Sequence, residues 1–479
     1  MGDSKVHILF IEPPKEFWFV MGEYMPPPLG ILQLAAFLES KNDEWEIDVL
    51  DCQIESIGWH NLKKRIESSE PSIVVCSGLA TCNTYTVLRT LDIVKKVNPQ
   101  IKTVVGGQHF TALAHESLES YPIIDFIIRG EGELTLYELI SNLENRKTLH
   151  TVMGLSFRNG DEIVHNPPRP LISNLDDLPL PGYHFIADGI NKYHFKLMAG
   201  SDAGYAMVEA SRGCQFKCKF CSQWVHWSGR WRTKSPKRVA MEMEHLYNEY
   251  DIRFLWLTDD NLGLGKRTSD LCDKLINKDI NEDLMWFVQA RSDDIIKNSH
   301  ILPKMRKAGN YWIMTGLERH DEEALKKFNK QIKASDSKLA IDILKDNGIF
   351  AQATLIIGER KDSHQSLEEF REFVNHVDPD IAITMILTPF PGTEIYQNAE
   401  RNGWIEDHNW SNYDMVHAIM PTEYLTRLEV QEELYKCYRD FYGSMRRRIT
   451  GIFSQNKFKR KTYRYMAGQG LLQSMKELF

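Results

Sequence analysis

"AMVEASRGCQFKCKFCSQW", residues 206–224, joins a short apolar run directly to three cysteines. Cys214, Cys218 and Cys221 form a C-x3-C-x2-C array. Structural zinc sites and complete cysteine-ligated iron–sulfur clusters take four protein ligands, so three cysteines leave one position open. An open position is how a metal site binds a substrate or cofactor rather than only holding a fold together. A zinc site completed by a distant residue such as His226 is the alternative. The array follows a strand and sits on the loop where the active end of a βα domain lies, which favours the cluster.

Working outward from the array, a βα series emerges. Its strands are "AMVEASRG" (Ala206–Gly213), "FLWLTDD" (Phe254–Asp260), "MWFVQAR" (Met285–Arg291), "YWIMTGLE" (Tyr311–Glu318), "QATLIIG" (Gln352–Gly358) and "IAITMILTPF" (Ile381–Phe390). Helical-period segments such as Val239–Glu249 and Leu367–His376 lie between them. Six units are too few to close an eight-unit barrel, so residues 206–400 are expected as an open, partial (β/α)6 barrel with its site at the strand C-termini.

Residues 1–149 hold a second alternation. Apolar runs at Val6–Glu12, Glu46–Cys52, Ser72–Leu79, Ile101–Gly107 and Ile124–Gly130 are separated by helical patterns at Leu29–Ser40, Asn61–Ser68, Tyr85–Val97, Ala112–Ser120 and Leu134–Leu143. Buried strands alternating with helices imply a Rossmann-like, doubly wound parallel sheet, an α/β fold whose ligands bind beyond the strand C-termini. Those ends carry "EPPKEFWFVMGEYMPPPLG", "SGLATCN", "GGQH" and "RGEGE". The glycine fingerprint G-x-G-x-x-G after the first strand is missing, which argues against a dinucleotide. Residues 150–205, with "HNPPRP" and "DLPLPG", read as the connection between domains. Residues 401–479 read as mainly helical and basic: no acidic residue falls between Asp440 and Glu477.

The chain of 479 residues carries a formal net charge of -8, with 42% hydrophobic and 26% charged residues. This is the composition of a globular protein and gives no pointer to nucleic acid. No apolar run reaches the length of a membrane span, and the N-terminus lacks a signal-peptide layout. Eight cysteines, three of them in one array, do not make a disulfide framework. A cytoplasmic location is expected, with no nucleic acid or membrane as partner.

With the aromatic Phe220 before its last cysteine, the array resembles the radical S-adenosylmethionine (radical SAM) superfamily. The resemblance implies a [4Fe–4S] cluster on Cys214, Cys218 and Cys221. The amino and carboxylate groups of SAM would occupy the open iron, and a one-electron donor such as flavodoxin or ferredoxin would reduce the cluster. Phe220 would lie beside SAM. "LTDDN" brings Thr258, Asp259 and Asp260 as candidates for the methionine amino group. Glu318 of "TGLE" matches the segment near the ribose, "TLIIG" (Thr354–Gly358) the strand beside adenine, and Gln289 and Arg291 line the same mouth.

The N-terminal spacing S-x-L-x26-G-G (Ser77, Leu79, Gly106, Gly107) resembles the cobalamin-binding fold, and "RGEGE" completes the set found in cobalamin-binding radical SAM proteins. The resemblance implies cobalamin contacts at Ser77, Leu79, Thr81, Gly106, Gly107, Gln108, His109, Gly130, Glu131 and Gly132. Small residues allow backbone to pass close to the nucleotide tail. The first loop has no histidine, so D-x-H-x-x-G is absent. Cobalt is therefore expected without a histidine ligand; Phe17, Trp18, Phe19 or Tyr24 would cover its lower face, the alternative being that these aromatics pack against the sheet.

The implied activity is C-methylation of an unactivated carbon, with methyl passing from SAM through methylcobalamin. The substrate reading leans to a peptide or protein side chain, such as a glutamine of methyl-coenzyme M reductase. "TPFPGTEIY" (Thr388–Tyr396) also resembles the anaerobic magnesium-protoporphyrin ester cyclase subgroup, which forms a ring instead. A methylthiotransferase, with a second cluster on Cys52, Cys76 and Cys82, is the third possibility.

Overall fold

The computed structural model describes residues 6–14, 24–143, 146–196 and 204–476. In the N-terminal sheet the strands are β1 (His7–Glu12), β2 (Glu46–Asp51), β3 (Ile73–Ser77), β4 (Lys102–Gly106) and β5 (Phe126–Ile128). They pair in parallel in the order β2-β1-β3-β4-β5. Every residue of β1 is buried, as expected for a strand covered on both faces. Helices Leu29–Glu39 and Glu133–Ser141 pack on one face through Ile31, Ala35, Leu136 and Leu139. Helices Trp59–Ser69, Thr84–Val97 and Ala114–Ser120 pack on the other through Leu62, Ile66, Leu91 and Leu118. The strand order reverses between β1 and β3, so the crevice of this doubly wound sheet lies at their C-terminal ends.

Within the stretch read as a connection, a hairpin of β6 (Leu155–Asn159) and β7 (Glu162–His165) extends this sheet antiparallel beyond β5. The proline-rich signals mark its flanks rather than the whole segment.

The second sheet contains β8 (Gly204–Val208), β9 (Ile252–Leu257), β10 (Met285–Gln289), β11 (Asn310–Glu318), β12 (Phe350–Ile357) and β13 (Ile381–Ile386). All pair in parallel and in sequence order, with β8 and β13 at the open edges of a half-barrel. The first strand is shorter than expected. It stops at Val208, and Ser211–Arg212 instead pairs antiparallel with Arg232–Thr233 as a small ribbon.

Inside the half-barrel, Phe254, Phe287 and Trp312 stack with centroids 5.7 and 4.1 Å apart. A second ribbon, Tyr24–Met25 with His194–Phe195, inserts Phe195 among them. Tyr24 packs on Phe195, Tyr205 and Trp256. The expectation that Tyr24 covers a face of cobalamin is corrected: its ring belongs to the barrel interior, where aromatic burial outweighs its sequence proximity to the first sheet. Phe17, Trp18 and Phe19 lie outside the described residues.

At the C-terminus, helix Arg427–Tyr442 begins with a Thr426–Glu429 capping box and lies along β13, Tyr438 bonding the Thr384 carbonyl. Helix Lys457–Lys476 passes under the strand starts, with Phe458 on Tyr311 and the Tyr463 hydroxyl donating to the Asp380 carbonyl. Among the described residues, no helix is long and apolar enough to cross a membrane.

Candidate active site

The ribbon Ser211–Arg212/Arg232–Thr233 closes the base of the loop that carries the three cysteines. Its geometry demands glycine at 213. The φ there is +86°, and a Cβ would stand 2.1 Å from the Arg230 carbonyl oxygen and 2.8 Å from Trp227 Cβ. The loop is pinned from several sides. Lys219 N–H donates to the Phe328 carbonyl at 2.9 Å, Trp224 Nε1 to the Cys218 carbonyl at 2.8 Å, and Asn329 Nδ2 to the Lys217 carbonyl at 2.9 Å. Phe220 meets Phe328 edge-on at 5.1 Å, so its ring helps to seat the loop.

All three thiols are free, Cys218 buried and the other two half-buried. Burial raises each thiol, Cys221 to about 12, with further upward contributions from neighbouring thiols at Cys214 and Cys221 and from Asp260. The thiols are thus neutral until a metal displaces their protons. Around one zinc ion the sulfurs would sit ~4 Å apart, given Zn–S bonds of about 2.3 Å. Among the described residues, the only three potential ligand atoms within 4.8 Å of one another belong to His7, Glu46 and Asp48, far from this loop in the fold. The array is spread more widely than a single zinc ion requires, and His226 does not close it.

The barrel mouth assembles the remaining residues named from sequence, in differing roles. Asp259 is fully buried and turned toward the ribbon, accepting from Ser211 Oγ and from the Ala210 N–H at 3.2 Å. Asp260 is half-buried beside the cysteines. Burial, then Asp259 and Glu209, push its carboxyl up to about 7, offset in part by a hydrogen bond from Trp227. Thr258 N–H donates to the Val208 carbonyl and the Gln289 carbonyl accepts from Leu262, so both backbones are engaged at strand ends. Arg291 stacks on Phe216 at 3.6 Å while bonding Asp293 and the carbonyls of Lys330 and Gln331. It braces the cysteine loop.

Glu318 ends β11 at a register shift and holds φ +61°, an unusual value for a residue with a side chain. Its Oε1 accepts from Lys330 Nζ at 2.6 Å. Burial opposes the charge of Lys330, but Glu318 and then Cys218 more than offset it and hold the ammonium above its usual range. Lys330 carries no motif in the sequence. Only the fold brings "FNKQI" back across the mouth to Cys218.

At the C-terminal end of the first sheet, two glycine loops touch. Gly107 has φ +96°, and a Cβ there would lie 2.7 Å from the Gly78 carbonyl carbon and oxygen. The Gly78 N–H donates to the Gly106 carbonyl at 2.9 Å, and Ser77 pairs with Gly106 across the β3–β4 register. Leu79 is 67% exposed, and Gly130, at φ +76°, has open space where a side chain would project. Thr81 is buried, and its carbonyl accepts from Thr84. Gly132 lies against Leu34. His109 is buried against Phe110 and Trp410, and among the described residues its Nδ1 has no partner. Burial lowers its pKa to about 4, so the ring is neutral at pH 7.

The two ends meet. Gln108 Nε2 donates to Gln223 Oε1 at 2.7 Å, and Ser222 Oγ donates to Gln108 Oε1 at 2.8 Å. Ser222 directly follows Cys221. Beside this contact, Arg212 bonds Glu131 at 2.8 Å, Glu133 at 2.7 Å and Glu209 at 2.8 Å, all three through separate nitrogens. Arg232 joins Glu131 at 2.9 Å. Glu131 is therefore committed to holding the two domains together. Sequence reading placed it on a ligand, since the arginines approach only in three dimensions.

Two family models match the chain: a B12 binding domain over residues 22–140 and the radical SAM superfamily over residues 208–374. An uncharacterized methyltransferase of Pyrococcus horikoshii is 30% identical over 94% of this chain and 95% of its own length. The chain belongs to the cobalamin-dependent radical SAM family. As a radical SAM enzyme of the methyltransferase kind, it works with cobalamin, a [4Fe–4S] cluster and SAM. Its relatives within the family also include the anaerobic magnesium-protoporphyrin IX monomethyl ester cyclase of Rubrivivax gelatinosus, 30% identical over 91% of this chain and 77% of that protein. Hopanoid C-3 methylase of Methylococcus capsulatus is 25% identical over 85% and 76%. The radical SAM enzyme shares its fold with two solved structures. These are the methyltransferase TsrM of Kitasatospora setae (15% identity, TM-score 0.70, 92% of this chain and 89% of that one) and OxsB (18%, 0.72, 97% and 71%).

The residues present fit these groups. Three free thiols on a pinned loop supply a cluster's protein ligands and leave one iron for another donor. The Gly78–Gly107 approach, the open space at Gly130 and the exposed Leu79 form a surface of backbone and one apolar side chain beyond β3 and β4, suited to a large cofactor.

Proposed function

We propose that the protein is a C-methyltransferase that moves a methyl group from SAM, by way of cobalamin, to an unactivated carbon. When bound, the cluster and SAM supply the radical that removes a hydrogen atom, and cobalamin supplies the methyl group. The single observation that carries the reading is the Gln108 bridge to Ser222 and Gln223, which joins the cobalamin-side loop to the residues just after Cys221. Cys214, Cys218 and Cys221 would hold the irons. Asp260 and the Glu318–Lys330 pair would orient the amino acid and ribose portions of SAM at the mouth. Asp259 and Arg291 act behind them, fixing the loop.

The cyclase reading uses the same cofactors. A methyltransferase relative and a cyclase relative are each 30% identical to the chain, so the mass of the product separates the two readings. A methylthiotransferase is disfavoured because Cys52 and Cys76 are buried in the apolar layer of the first sheet. The test is anaerobic reconstitution with cobalamin, SAM and a reductant. Formation of 5′-deoxyadenosine and S-adenosylhomocysteine together, with a product one methylene heavier, supports methylation. Deoxyadenosine alone, with no mass gain, overturns it.

A further inference from the structure

The C-terminal helices carry a surface that the reaction does not use. Helix Met445–Ile452 and its cap expose Met445, Ile449 and Phe453 by 65%, 52% and 73%. Their spacing of four residues puts all three on one face. Arg446 and Arg448 are exposed beside them, whereas Arg447 turns inward to bond Asp378 at 2.7 Å. The following helix exposes Lys457 and Arg464, two turns apart. Gly451 packs so tightly on the Tyr463 ring (a Cβ would stand 2.3 Å away) that the two helices are locked side by side. No acidic residue lies between Asp440 and Glu477 to neutralise the patch.

We infer, against the expectation from sequence that no membrane is a partner, that this surface docks on an anionic lipid bilayer. Large apolar side chains held in water next to the exposed cations Arg446, Arg448, Lys457 and Arg464 match an interface with apolar chains below and phosphate headgroups above. Phe453 is the one aromatic ring of this face, and with Met445 and Ile449 beside it the face is an apolar strip rather than a row of stacking platforms, which favours lipid over nucleic acid. The helix would lie in the plane of the surface without crossing it, consistent with its short length. Lys459 pairs with Asp380 and Asn456 bonds the Gly348 carbonyl, both at the starts of barrel strands. The patch therefore lies at the end of the barrel opposite the cofactor mouth. Docking leaves that mouth facing away from the bilayer and open to a substrate from solution.

The test is co-sedimentation of the full-length protein with vesicles of phosphatidylcholine alone or mixed with phosphatidylglycerol. Binding to the anionic vesicles that weakens with salt is expected, with little on the neutral ones. Arg446→Gln and Arg448→Gln should each weaken binding by about fivefold. The double variant Ile449→Asp/Phe453→Asp should abolish it while the melting temperature is retained, since both side chains are exposed. Equal sedimentation with both vesicle types, no sedimentation, or undiminished binding by the Asp double variant would overturn the inference. So would a dimer in sedimentation velocity that Ile449→Asp dissociates, because the patch would then belong to a second copy.

Discussion

Both parallel sheets offer their C-terminal strand ends to the site, but they build it from different material. The first sheet uses backbone: Gly78 and Gly107 touch without side chains, and Gly130 leaves space beyond β5. The half-barrel uses side chains: three thiols, a buried Glu318–Lys330 pair and the Arg212 ion cluster. A surface made of backbone is shaped before any ligand arrives. A set of neutral, buried thiols completes itself only when metal takes their protons. The two halves should therefore fail separately when one is damaged, and together when the contact between them is damaged.

The largest effect is expected for Cys218→Ala. Cleavage of SAM to 5′-deoxyadenosine should vanish and iron content should fall, while visible absorption shows cobalamin retained. Loss of both cofactors would break the contrast between the halves. Arg212→Ala strikes the joint instead. It leaves Glu131, Glu133 and Glu209 without their shared cation, and removing one partner from a buried pair costs ~3–5 kcal/mol. Urea denaturation should show that loss, and the ratio of methylated product to deoxyadenosine should drop because the two loops no longer hold register. Arg212→Lys should restore part of the stability but less of the coupling, since an ammonium lacks the guanidinium fork.

Gly107→Ala is smaller and one-sided. The positive φ and the contact with Gly78 cost about 1–3 kcal/mol, and cobalamin retention should fall while the iron content stays intact. The smallest effect concerns acid. His109, lowered from 6.5 to about 4 by burial, is neutral in the folded chain over that window, whereas the unfolded chain takes up the proton. The stability it protects is full above pH 6.5 and declines as the pH falls toward 4. Denaturation midpoints between pH 7 and 4 should drop less steeply in His109→Gln. An unchanged slope would show that His109 is not the buried neutral ring described.

Much of this division was legible in the sequence because its signals are local. Runs such as "VHILFIE" and "FLWLTDD" announce buried strands, and the cysteine spacing announces a metal loop. What stayed hidden depends on distant segments meeting. Lys330 comes beside Cys218 only through the helical segment Glu322–Lys327 that follows β11, and Arg212 meets "RGEGE" only once the domains pack. Asp259 looked like a ligand residue because it ends a strand, yet Ser211 and the Ala210 N–H consume its oxygens. Tyr24 followed the first sheet in sequence but was claimed by the aromatic interior of the barrel. The hairpin β6–β7 escaped because its proline-rich flanks masked two short strands.

The central claim is that the cobalamin loop and the cysteine loop serve one cavity. Electron paramagnetic resonance on the enzyme carrying both cob(II)alamin and the reduced cluster tests it most directly. Signals broadened or split by coupling between the two spins are expected, with the coupling weakened in Arg212→Ala. Two unperturbed signals, each identical to that of protein holding a single cofactor, would contradict the account.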